Sequence, residues 1–136
     1  MPSKGRGKEK GPSSSETKAK ERRAKLWKVV KLLRIFLTPR DRRKVKVRIT
    51  SAVPDDVLGD CTQRKDHYLI RLNKTTVENS PDAVYLVLAN EWAHTLSWSD
   101  SAFDHGDSWG IAYAKCWRVI TGEINAGDLS DVIGMD

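Results

Sequence analysis

The groups in this chain best suited to hold a metal or move a proton are gathered in Asn90-Glu91-Trp92-Ala93-His94. Eleven residues past His94 comes His105, in Asp104-His105-Gly106-Asp107-Ser108-Trp109. On a helix, positions 90 and 94 stand one turn apart and point together. That is the spacing of the zinc motif H-E-x-x-H, in which two imidazoles hold the metal and the Glu between them is the general base. Glu91 and His94 are in place, whereas Asn90 stands where the first His is expected. A third ligand from a following loop, His105, would leave a fourth position for water, whose pKa falls to about 7 on zinc. Glu91 would then take that water's proton as it attacks a polarised carbonyl.

Asn90 decides how much of this chemistry is expected. Its amide offers a neutral oxygen, a far poorer zinc donor than imidazole. Asp104 or Asp100 could add a carboxylate, but nothing in their spacing brings either to the metal. Three readings stay open: a weakened zinc site, a fold that has lost its metal, and a deliberate His→Asn replacement made to inactivate an enzyme. Each residue also has a structural alternative. His94 could be a hydrogen-bonded core histidine, and Glu91 an acid paired with Arg71 or Arg118. Trp92 and Trp98 read as core or pocket wall, His67 as an exposed strand residue, and Cys116 as an inert buried thiol.

The elements that must position these groups follow from periodicity. Ser80-Pro81-Asp82 is a helix start with Ser80 as cap, and the helix carrying the motif should run over Ala83–Leu96. A polar loop, Ser97–Gly106, leads to a last helix over Asp107–Ile120 closed by Gly122. Trp109, Tyr113, Trp117 (or Cys116) and Ile120 recur along it at helical spacing and form an aromatic seam against the motif helix. Upstream, Val45, Val47 and Ile49 alternate with Lys44, Lys46 and Arg48, a half-buried strand. Tyr68, Ile70 and Leu72 alternate with His67, Leu69 and Arg71 in another. A short strand or hairpin arm is expected near Cys61. Glu21–Leu37 is a basic amphipathic helix with a stripe of Leu26, Val29, Val30, Leu33, Phe36 and Leu37, ended by Pro39.

Charge is distributed unevenly along the 136 residues. Residues 1–50 hold 18 of the 24 Lys and Arg and 4 of the 18 Asp and Glu, a net +14, while residues 51–136 carry a net −8. Such asymmetry points to a basic arm or face that meets a polyanion, with a solubilising tail as the plain alternative. Residues 1–20 contain no large apolar residue after Met1 and are expected to be a disordered arm ahead of a single domain over 21–136. Arg40, Arg42, Arg43 and Lys44 are the candidate nucleic-acid contacts. A mean hydropathy of −0.54 and the lack of any apolar run of about 18 residues exclude a membrane span. Two distant cysteines and no apolar leader suit a reducing, cytoplasmic setting.

Two strands, an N-E-W-A-H helix and H-G-D-S-W opening a second helix resemble the SprT-like zinc metallopeptidases. The chain is especially similar to the short stand-alone versions in bacteriophage genomes, over roughly residues 44–121. The resemblance implies an α+β fold of minimal zincin type, with a small sheet, an active-site helix and a following helix. It also implies zinc as cofactor, Glu91 as general base, His94 and His105 as second and third ligands, and Asn90 at the degenerate first position. A protein or peptide substrate would lie extended along an edge strand, for which residues 67–73 are the candidate. A phage origin would place the protein in the host cytoplasm or the virion. The alternative function is a catalytically inactive zincin-fold protein that binds nucleic acid or serves in virion structure or assembly.

Overall fold

The structure, a computed structural model, describes residues 14–100 and 106–133. Its elements are α1 (Ser14–Phe36), β1 (Lys44–Thr50), β2 (Gly59–Gln63), β3 (His67–Asn73), α2 (Lys74–Asn79), α3 (Pro81–Leu96) and α4 (Asp107–Ile133), with a 3-10 turn at Trp98–Asp100. Four helices and a three-stranded sheet make it a small α+β fold.

The sheet order is β1-β3-β2, with β3 parallel to β1 and antiparallel to β2. This corrects the expectation for residues 67–73. They form the central strand, hydrogen-bonded on both sides, so their backbone groups are taken. The edges are Lys44–Thr50 and Gly59–Gln63. The cause is the short β2–β3 hairpin, closed by Arg64 N donating to His67 O at 2.7 Å, which returns the chain between β2 and β1. Alternation turns Val45, Val47, Ile49, Cys61, Tyr68, Ile70 and Leu72 to one face, where they pack with the helices. The charged positions of β1 stay exposed on the other.

Leu26, Val29, Val30 and Leu33 of α1 are buried against that face together with Leu88, Ala89 and Trp92 of α3. Phe36 does not join them and is 66% exposed. It sits on the last turn, where the helix is leaving the core, and half-buried Leu37 one residue later completes the stripe. Trp92, fully buried, donates from Nε1 to Leu37 O at 3.0 Å, tying α3 to the exit of α1.

Several elements differ in extent from the sequence reading, and one was absent from it. Helix α1 starts at Ser14, so residues 14–20, assigned to the disordered arm, are helical. Good helix formers such as Ala19 and Glu16 extend an exposed helix without apolar contacts. Residues 1–13 of that arm lie outside the described residues. Helix α4 continues through Gly122 to Ile133, because a lone glycine in a helix costs only about 1 kcal/mol and need not end it. Helix α2 was not foreseen. It is capped by buried Asn73, whose Oδ1 accepts from Thr75 N at 3.0 Å while Nδ2 donates to Val57 O at 2.9 Å. Ser80 precedes Pro81 as expected, but its side chain makes no capping bond.

Candidate metal centre

Helix α3 positions the motif by burying one side. Tyr85, Leu88, Ala89, Trp92 and Ala93 enter the core, which leaves Asn90, Glu91 and His94 half-buried on the flank. The helix is closed just past the motif, where Ser97 donates to Ala93 O from both N (3.1 Å) and Oγ (2.9 Å).

Helix α4 covers this flank. Trp109 donates from Nε1 to the Asn90 carbonyl oxygen at 3.3 Å, and its ring lies 6.0 Å from that of His94. Tyr113 stacks on Trp109 at 4.8 Å and Trp117 follows at 6.4 Å, so the aromatic seam is present. The start of α4 is thereby held over the turn from 90 to 94. His105 and Asp104, which precede it, lie outside the described residues, as does the side chain of Asp100.

On the other flank stands β2. Glu91 lies close enough to Cys61 for its charge to act on the thiol. Burial first, then Glu91 and Asp60, push the Cys61 pKa up to about 12. Gly59 makes this approach possible. A Cβ there would sit 2.6 Å from Val87 Cγ1 and 2.8 Å from the Arg71 carbonyl oxygen. The sequence reading left Gly59 in a turn-rich stretch, and only the hydrophobic neighbour four residues before Glu91 shows why a glycine is needed. Arg71 is engaged by Asp60 across the β2–β3 register.

One atom in the motif stands out. Asn90 Oδ1 is buried and has no hydrogen-bond partner among the described residues. An orphaned acceptor of this kind costs about 1–3 kcal/mol unless something donates to it or coordinates it. One helical turn from an imidazole, an amide oxygen can act as a cation donor in type but is a weak one in strength. Among the described residues no three His, Cys, Asp or Glu side chains form a metal-binding group. The amide oxygen and His94 are the described donors.

The remaining candidates fall elsewhere. Arg40, Arg42 and Arg43 occupy the α1–β1 corner and Lys44 opens β1; Arg42, Arg43 and Lys44 line a cleft floored by Trp92 of the motif helix, and Arg40 lies beside Thr95 and Leu96. Arg43 is held in place: it pairs with Asp41, donates to Lys65 O at 3.3 Å and lies over the Tyr68 ring at 5.9 Å. Tyr68 OH in turn donates to Asp41 at 2.7 Å. His67, half-buried, contacts Asp66 at 2.6 Å. Cys116 is fully buried, and desolvation pushes its thiol up to about 12, as an inert core cysteine requires. Trp92 is core; Trp98 is half-buried and packs 5.5 Å from Tyr68.

Comparison with protein-family models, with curated proteins and with solved structures found no match. In the described residues no helix is long and apolar enough to cross a membrane.

Proposed function

We propose that this chain is a SprT-like zinc metallopeptidase homologue with a weakened metal centre, in which Asn90 replaces the first imidazole. The observation that carries the reading is Asn90 Oδ1, buried and without a partner among the described residues, one turn before His94 and on the residue to which Trp109 of the next helix donates. Asn90 Oδ1, His94 and His105 would hold the ion, which when bound supplies Lewis acidity to a substrate carbonyl and a more acidic water. Glu91 would hold the proton taken from that water on its carboxylate. The acid is half-buried beside β2. An extended peptide would add to the free edge of β2 by main-chain hydrogen bonds, running past Glu91. Trp109 screens the His94 side of the site from water.

The neutral amide predicts that the unmodified protein, purified without chelator, holds much less than one equivalent of zinc. Asn90→His should raise zinc to one per chain, measured by metal analysis. Hydrolysis of a denatured, dye-labelled protein should appear with the metal. Adding Glu91→Gln should then abolish hydrolysis and leave zinc bound. Failure of Asn90→His to take up zinc while remaining folded would overturn the metallopeptidase reading and leave a non-catalytic scaffold.

A further inference from the structure

An open, strongly basic cleft of about 480 Å³ lies between the end of α1 and β1. Arg34, Arg42, Arg43, Lys44 and Lys46 line it, and no acidic side chain does. Its floor is apolar, formed by Leu37, Val45 and the fully buried Trp92. Two acids stand near its walls: Asp41 is already taken by Arg43 and the Tyr68 hydroxyl, and Asp66, which contacts the His67 ring, lies close enough to Lys46 to feel its charge. We propose that this cleft seats a nucleic-acid strand by its phosphodiester groups, contacting it with Arg34, Arg42, Lys44 and Lys46 and positioning it with Arg43.

Three features support a built phosphate site over a merely solvated basic face. First, two of the guanidiniums are pre-positioned. Arg34 donates from Nε to Val45 O at 2.9 Å, and Arg43 is fixed by Asp41, by Lys65 O and by the Tyr68 ring. An arginine whose stem is already ordered loses little freedom when it forks onto a phosphate. Second, Lys44 and Lys46 are exposed alternate residues of an edge strand, about 6.7 Å apart, and repeat their charge along the cleft wall. Third, Arg42 has a φ of 65°, the left-handed region that glycine takes without strain. A cation is carried there although glycine would suit the backbone better.

The site is distinct from the candidate metal centre and is tested with chelator present, so the two readings stand or fall separately. The probes are a 20-nucleotide labelled oligo-dT and a 20-base-pair labelled duplex, bound by the full chain across a range of salt concentrations. In the variant Arg42→Gly/Lys44→Gln/Lys46→Gln, every substituted residue is exposed and the glycine relieves the φ, so thermal unfolding should match the parent. Binding at ~100 mM salt should weaken by about tenfold or more. The slope of log affinity against log salt should shrink by about 2 for the single strand, or about 3 for the duplex, as three phosphate contacts are lost. The arm with the larger loss identifies the form of the strand. A control, Lys74→Gln/Lys115→Gln/Arg118→Gln, removes the same charge elsewhere and should change binding much less. Equal losses in the two variants would reduce the effect to net charge and overturn the proposal. So would an unchanged slope in the cleft variant, or no binding by the parent to either probe.

Discussion

Glu91 and Cys61 face each other from different elements, and this pair gives the site a chemical reporter. Burial is the larger reason that the Cys61 thiol is raised to about 12, but the Glu91 carboxylate adds to it by opposing a second negative charge. Removing that charge should lower the Cys61 pKa and raise its thiolate fraction at a fixed pH. Glu91→Gln should therefore accelerate alkylation of Cys61 by iodoacetamide several-fold at pH 8–9. Cys116 is raised by desolvation alone among its charge-related causes and serves as the internal control. Equal rates at Cys61 with and without Glu91 would separate the acid from β2 and remove the proposed substrate path. The rate rises with pH in both proteins, because the thiolate is the reacting form.

At the scale of elements, the approach of β2 to α3 governs the site. Position 59 has room for a hydrogen and nothing larger, since a Cβ would meet both the Val87 side chain and the Arg71 backbone oxygen. Gly59→Ala should destabilise the protein by about 1–3 kcal/mol, the usual cost of overpacking, measured by urea unfolding. Adding Val87→Ala should recover only part, because the clash with the Arg71 oxygen remains. Full recovery would show that the side chain alone sets the spacing. The same variant should slow any restored hydrolysis, since it moves the edge of β2 away from Glu91. Helix α4 plays the matching part on the other flank through Trp109, whose indole spans from its own helix to Asn90.

Across the whole molecule, charge and burial are divided between different parts. The core is made by residues 26–33 of α1, the sheet, α3 and the buried side of α4. The first turns of α1 project exposed side chains at residues 16–18 and carry no core residue. Deleting residues 1–20 removes six Lys and Arg and two acids. It should leave the unfolding temperature within a few degrees of the parent, because Leu26 onward and the Arg23–Glu78 ion pair are retained. Nucleic-acid binding should weaken modestly and its salt dependence flatten. A large drop in unfolding temperature would mean that this segment contributes to the packed domain.

Local spacing carries its own physics, and for that reason the strands, the motif helix and the aromatic seam were legible from the residues alone. Period-2 and period-3.6 patterns are imposed by backbone geometry, whatever the neighbours are. The amide at position 90 and the +14 half of the chain are likewise properties of composition. Strand order was not legible. His67–Asn73 has the same alternation at the centre of a sheet as at its edge, and only the hairpin's return between β1 and β2 made it central. The need for Gly59, and the lack of a partner for Asn90 Oδ1 among the described residues, depend on which atoms arrive from distant elements. The basic cleft arises in the same way, because Arg34 and Lys46 become neighbours only when α1 packs on β1. Those pairings are set by close packing in three dimensions, which no single segment contains.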